Sequence, residues 1–111
     1  MKSSVVWTDQ VEAYVRGKAP EPRRALWAGI KGLGQWDGEA NPPHVRFLED
    51  DLAGYIRLRV DRHRVVFRED FHQGRRRIIC LFAGPRSTVY EALSELLLDE
   101  LATPKATSKA G

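Results

Sequence analysis

Nine arginines fall between Tyr55 and Arg86, at positions 57, 59, 62, 64, 68, 75, 76, 77 and 86, against three acids, Asp61, Glu69 and Asp70. The stretch holds no lysine. A guanidinium keeps its charge at any physiological pH and offers a planar fork of donors that matches two oxygens of a phosphate. Such groups grip a polyanion and stabilise negative charge that builds in a transition state. Tyr55, Arg57 and Arg59 occupy every second position, and Ile56, Leu58 and Val60 fill the alternate ones. In a strand this alternation sends the two sets to opposite faces. The apolar set must meet a core, so Arg57 and Arg59 project from the open face about 7 Å apart. That distance is close to the step between successive phosphates of one nucleic-acid strand.

The next strand adds Arg64, with Val65 and Phe67 alternating against it. Arg86 enters from the loop after the last strand, and Tyr90 follows one helical turn later. Four guanidiniums and a phenol can therefore meet on one sheet face, with Tyr55 placed to stack on a base. The competing reading is a solvated outer face whose arginines pair with nearby acids. Arg62 and the triplet Arg75, Arg76 and Arg77 extend the basic character, as backbone contacts for nucleic acid, as a surface for an acidic partner, or as a solvated turn. Alternation puts His63 on the helix-facing side. His72 reads as a surface residue and His44, after two prolines, carries little functional signal; Cys80 reads as a core residue without an activating base, and Trp7, Trp27 and Trp36 as packing.

The elements that carry these residues fit one domain. The chain has 111 residues, 42% hydrophobic and 30% charged, with a net charge of +3. A domain of this size buries about two-thirds of its unfolded surface, enough for a core without metal or disulfide. No run approaches a membrane span, the N-terminus lacks the apolar region of a secretion signal, and the single Cys80 cannot close an internal disulfide. No spacing of Cys and His resembles a metal site, so neither metal nor cofactor is expected. These features point to a reducing, cytoplasmic setting. The basic middle contrasts with an acidic segment, Glu91–Glu100.

Ser3–Thr8 reads as a first strand, followed by a helix capped by Asp9 and ending at Gly17. Pro20 and Pro22 open a second helix with Leu26, Ile30 and Leu33 as its stripe, fraying near Gly34. Asp37–His44 is a loop. Val45–Ala53 carries no clear period, with a turn at Glu49-Asp50-Asp51. Tyr55–Arg62, His63–Glu69 and Arg77–Ala83 read as an antiparallel meander, the last strand buried on both faces. Ser87 caps a final helix striped by Val89, Leu93, Leu96 and Leu97. Residues 1–101 form the domain, and the tail 102–111 is expected to be disordered. The fold class is α+β in the order β-α-α-β-β-β-α, an α-hairpin and a C-terminal helix packed on a small, twisted, mainly antiparallel sheet.

The run Leu52-Ala53-Gly54-Tyr55-Ile56-Arg57-Leu58-Arg59-Val60-Asp61-Arg62-His63-Arg64-Val65-Val66-Phe67, followed by Gly84-Pro85-Arg86-Ser87-Thr88-Val89-Tyr90, resembles the RelE/ParE superfamily of bacterial toxins. The likeness spans roughly residues 3–98. It implies a toxin held silent by a cognate antitoxin protein, acting in the RelE branch on the ribosome and its mRNA, or in the ParE branch on gyrase. In the RelE branch the 2′-hydroxyl of the RNA attacks the adjacent phosphate without a metal and leaves a 2′,3′-cyclic phosphate. Arg57 and Arg59 match positions that engage the scissile phosphate and assist proton transfer, Arg64 matches the arginine that stabilises the transition state, Arg86 matches the arginine of the loop after the last strand, and Tyr90 matches a tyrosine that contacts the substrate base or its 2′-hydroxyl. Tyr90 on a full C-terminal helix favours the ribonuclease branch. Two departures stand out. Arginines replace the usual lysines, and Pro85 replaces a frequent histidine, which keeps the phosphate clamp but leaves Tyr90 as the group to handle a proton. A protein that binds RNA or antitoxin without cutting is the further alternative.

Overall fold

A computed structural model describes residues 3–36 and 44–88, together with 90, 91 and 95. The stripe of the expected last helix, the loop over 37–43 and the tail 102–111 lie outside the described residues; Tyr90, Glu91 and Glu95 are helical. The order is β1 (Ser4–Trp7), α1 (Asp9–Arg16), α2 (Pro20–Gly32), β2 (Val45–Phe47), β3 (Ile56–Val60), β4 (His63–His72) and β5 (Arg75–Pro85). The sheet runs β1-β5-β4-β3-β2, with β1 parallel to β5 and the other pairs antiparallel. The architecture is the expected α+β one, with β2 as an added edge strand in a segment whose sequence carries no period.

Thr8, not Asp9, caps α1: its Oγ1 accepts the Val11 N–H at 3.4 Å and donates to the Leu81 carbonyl at 3.0 Å. Asp9 falls instead in the first turn, where its charge suits the helix dipole. Val11 and Val15 of α1 and Leu26 and Ile30 of α2 are fully buried. Beyond Gly32 the chain tightens into a 3₁₀ turn over Leu33–Gln35. These side chains meet a sheet layer in which Val45, Leu58, Val65 and Ala83 form one cross-strand row, each at most 3% exposed. Phe67 is fully buried and meets the Trp36 ring edge-on at 5.7 Å. Cys80 lies in this core, and burial pushes its thiol up to about 12.

A bulge on β5 sets the face of everything after it. Val66 pairs with Phe82 but Phe67 pairs with Cys80, so Leu81 is the extra residue. Ile78 and Cys80 therefore face the helices, as does Ala83, while Phe82 turns to the opposite face beside Val66. Thr8 holds the bulge itself, its N–H donating to the Cys80 carbonyl and its hydroxyl to that of Leu81, and α1 holds the strand just past it. Past the end of β1, the Gln10 amide takes the place of a strand, donating to the Ala83 carbonyl and accepting its N–H, both at 2.8 Å.

Candidate functional site

The strand register assembles the open face row by row. Arg59 lies opposite Arg64, and Arg64 opposite Gly84. The Arg59 N–H donates to the His44 carbonyl at 2.8 Å, which carries the β2–β3 register one residue further and adds His44 to the row. The neighbouring row is Arg46, Arg57, Val66 and Phe82. Both rows flank the buried row of Val45, Leu58, Val65 and Ala83, so the pleat turns them to the other side of the sheet. Glycine at position 84 adds no side chain beside Arg64, which leaves that row open toward β5.

Arg64 is the centre of the group. It is 7% exposed, and its Nη1 donates to the carbonyls of Asp61 at 2.9 Å and His63 at 3.0 Å. Burial depresses its pKa most, followed by the positive charge of Arg57; Arg86 and Arg59 add to the effect and Tyr90 opposes it. Five of the residues expected to act together, Arg57, Arg59, Arg64, Arg86 and Tyr90, thus share one electrostatic neighbourhood. The Arg57 Nε is buried without a hydrogen-bond partner. The Arg86 N–H donates to the Arg62 carbonyl at 2.9 Å, tying the loop after β5 to the β3–β4 turn. Between them opens a cleft of about 950 Å³ lined by His44, Arg59, Asp61, Arg62, Arg64 and Arg86, with Pro85 and Ser87 at its edge.

Charge pairing separates the arginines into two groups. Among the described residues, Arg57, Arg59, Arg62, Arg64 and Arg86 make no salt bridge. Arg68, Arg76 and Arg77 do. Arg77 donates twice to Asp70, at 3.1 and 2.9 Å, and holds that carboxyl below its ordinary pKa. Arg76 reaches Glu69 at 2.6 Å, the Ser3 hydroxyl at 2.7 Å and the Trp36 carbonyl at 2.8 Å. Arg75, Arg76 and Arg77, expected to extend the basic surface, stand apart from this group. Arg76 and Arg77 are spent on the protein's own acceptors, and exposed Arg75 sits at the opposite end of β5, ten residues or roughly 30 Å from Pro85.

Tyr55 packs with Leu48, Leu52, Phe82 and Tyr90 around buried Val66, a small apolar patch beside the arginines. His63 faces the helices as alternation required: its Nδ1 and the Tyr14 hydroxyl are 2.7 Å apart, and burial depresses its pKa, with the Lys18 charge adding to this. Two residues join the face that sequence patterning missed, His44 and Arg46, because three residues of β2 give no readable period. The Arg59 to His44 backbone bond places the first, and the pairing of Arg46 with Arg57 places the second. Among the described residues no group of three or more His, Cys, Asp or Glu could hold a metal ion, and no helix is long and apolar enough to cross a membrane.

No protein-family model matches the sequence, and no curated protein matches it. Solved structures do match. A chain of the RelBE2 toxin–antitoxin complex from Mycobacterium tuberculosis superposes with a TM-score of 0.62 at 17% identity, covering 78% of this chain and 94% of that one. The chain shares the fold of that protein. The archaeal RelE–RelB complex from Pyrococcus horikoshii gives 0.59 at 19% identity, over 78% of this chain and 97% of that one. A YoeB/ParE toxin from Agrobacterium tumefaciens gives 0.57 at 23% identity, over 74% and 97%. In this shared fold the arginines that make no salt bridge among the described residues lie toward the sheet face turned away from the α-hairpin.

Proposed function

We propose that the chain is the toxin of a type II toxin–antitoxin system and cleaves mRNA on the ribosome in the cytoplasm. The observation that carries this is the group of arginines, 59, 62, 64 and 86, lining one cleft with Arg57 close to Arg64; Asp61 is the single acid lining the cleft, and none of the five makes a salt bridge among the described residues. A folded protein gains no stability from like charges placed side by side, so such a cluster calls for an anion from outside. The forks of Arg59 and Arg86 suit the oxygens of a scissile phosphate, and Arg64, fixed by two backbone carbonyls, is preorganised to meet the extra charge of the phosphorane. Tyr55 and Tyr90 offer rings against which bases stack.

In the reaction the RNA's 2′-oxygen attacks its neighbouring phosphorus in line, the bond to the 5′-oxygen breaks, and a 2′,3′-cyclic phosphate and a 5′-hydroxyl result. The toxin–antitoxin complexes of shared fold support a small antitoxin protein as partner. An acidic segment of that antitoxin would neutralise the same face. A binding-only role is the competing reading, favoured by a cleft whose cations are all arginines, which do not exchange protons. A ParE-like action on gyrase is the other, tested by a supercoiling assay.

The experiment is translation of a defined message on purified ribosomes, with new 5′ ends read by primer extension. Wild-type protein creates them and Arg59→Gln with Arg86→Gln removes them. Absence of new ends with the wild type contradicts the proposal.

A further inference from the structure

Arginine keeps its proton, so none of the cleft's cations can take one from a hydroxyl. One imidazole stands among them. His44 precedes β2 by one residue, is exposed, and lines the cleft at the head of the row that continues through Arg59 and Arg64. The two other histidines are elsewhere: His63 is bonded to Tyr14 on the helix side, and His72 lies opposite Arg75 at the far hairpin.

We infer that His44 is the general base of the cleft, the group that takes the proton of the attacking 2′-hydroxyl. The inference rests on the ribonuclease reading above. The hydroxyl proton passes to an imidazole nitrogen, the 2′-oxygen to phosphorus bond forms as the bond to the 5′-oxygen breaks, and the departing oxygen takes a proton from water. The imidazolium then returns its proton to solvent. Imidazole is the side chain whose ordinary pKa permits this traffic near neutral pH. The groups facing it are Arg59 from β3, Arg64 from β4, Asp61 and Arg62 from the β3–β4 turn, and Arg86 from the loop after β5. On its other side, Ala28, Gly29, Gly32, Gln35 and Trp36 bring no charge. The backbone bond to Arg59 fixes the base directly beside a phosphate-binding fork.

The test is single-turnover cleavage of a ribosome-bound message across pH for the wild type, His44→Gln and His44→Ala, with melting temperature and affinity for a 2′-deoxy oligonucleotide as controls. The rate falls by about 10²–10⁴ in both variants. The rise of rate with pH flattens, added imidazole restores part of the activity of His44→Ala, and both controls stay at the wild-type level because His44 is an exposed residue. A variant that cuts as fast as the wild type with the same pH profile overturns the role of His44 and leaves the ribonuclease reading standing. A wild type that binds RNA and cuts at no pH overturns both.

Discussion

Arg59 and Arg64 are direct cross-strand partners on the open face, and no acid among the described residues pairs with either. Two like charges directly opposite each other on a sheet oppose folding. Arg59→Gln is therefore expected to leave the unfolding free energy unchanged or raise it by up to about 1 kcal/mol, while weakening RNA binding. Urea denaturation alongside RNA titration checks this. A clear loss of stability would show that Arg59 has a partner within the fold.

Arg64 behaves in the opposite way, because its Nη1 satisfies two backbone carbonyls of the β3–β4 turn. Arg64→Ala leaves them without a charged donor and is expected to cost about 1.5–3 kcal/mol. Loss of function in that variant is consequently ambiguous unless the folded fraction is measured by circular dichroism in the same samples. Arg59 and Arg86 are the better probes of the site.

Much of the fold was legible because its signals are local. Ile56, Leu58 and Val60 alternate with Tyr55, Arg57 and Arg59, and the structure turns the two sets as that period requires. β2 was not legible: of its three residues only Val45 is buried, and Phe47 is 42% exposed, so pairing with β3 rather than patterning makes it a strand. His44 and Arg46 went unplaced for that reason. The bulge at Leu81 was hidden inside a continuous apolar run, where no polar residue marks which face each position takes. The pairing of Arg77 with Asp70 did have a signal. A two-residue Gln73-Gly74 turn, both residues at positive φ, sets Asp70 opposite Arg77 across the hairpin.

Gln10 closes the backbone of β5 beyond the reach of β1. Gln10→Ala removes both hydrogen bonds to Ala83 and is expected to lower stability by about 1–2 kcal/mol. Amide hydrogen exchange at Ala83 quickens, and RNA cleavage falls because the strand that leads into Arg86 loses its anchor. Unchanged exchange at Ala83 would contradict this role.

His63 gives a pH dependence whose sign follows from burial. Its folded pKa lies below the ordinary value of 6.5, so the unfolded chain binds more protons as pH falls through that value. The contribution of His63 to stability is present above that point and is lost as pH falls through it. Denaturation midpoints measured from neutral to mildly acidic pH should decline, and less so in His63→Gln. Asp70 acts lower on the scale: its pKa is depressed chiefly by the hydrogen bonds from Arg77, so its contribution persists above the ordinary carboxylate range and disappears as acid protonates it.

The salt dependence of binding to single-stranded RNA reports how many cations meet the phosphate chain. With Arg57, Arg59, Arg62, Arg64 and Arg86 engaged, log Kd against log salt concentration should rise with a slope of about 3–4. The slope should drop by about 0.7 in Arg59→Gln and again in Arg86→Gln, and stay unchanged in Arg77→Gln. A slope near zero, or an equal drop in Arg77→Gln, would contradict a dedicated arginine face.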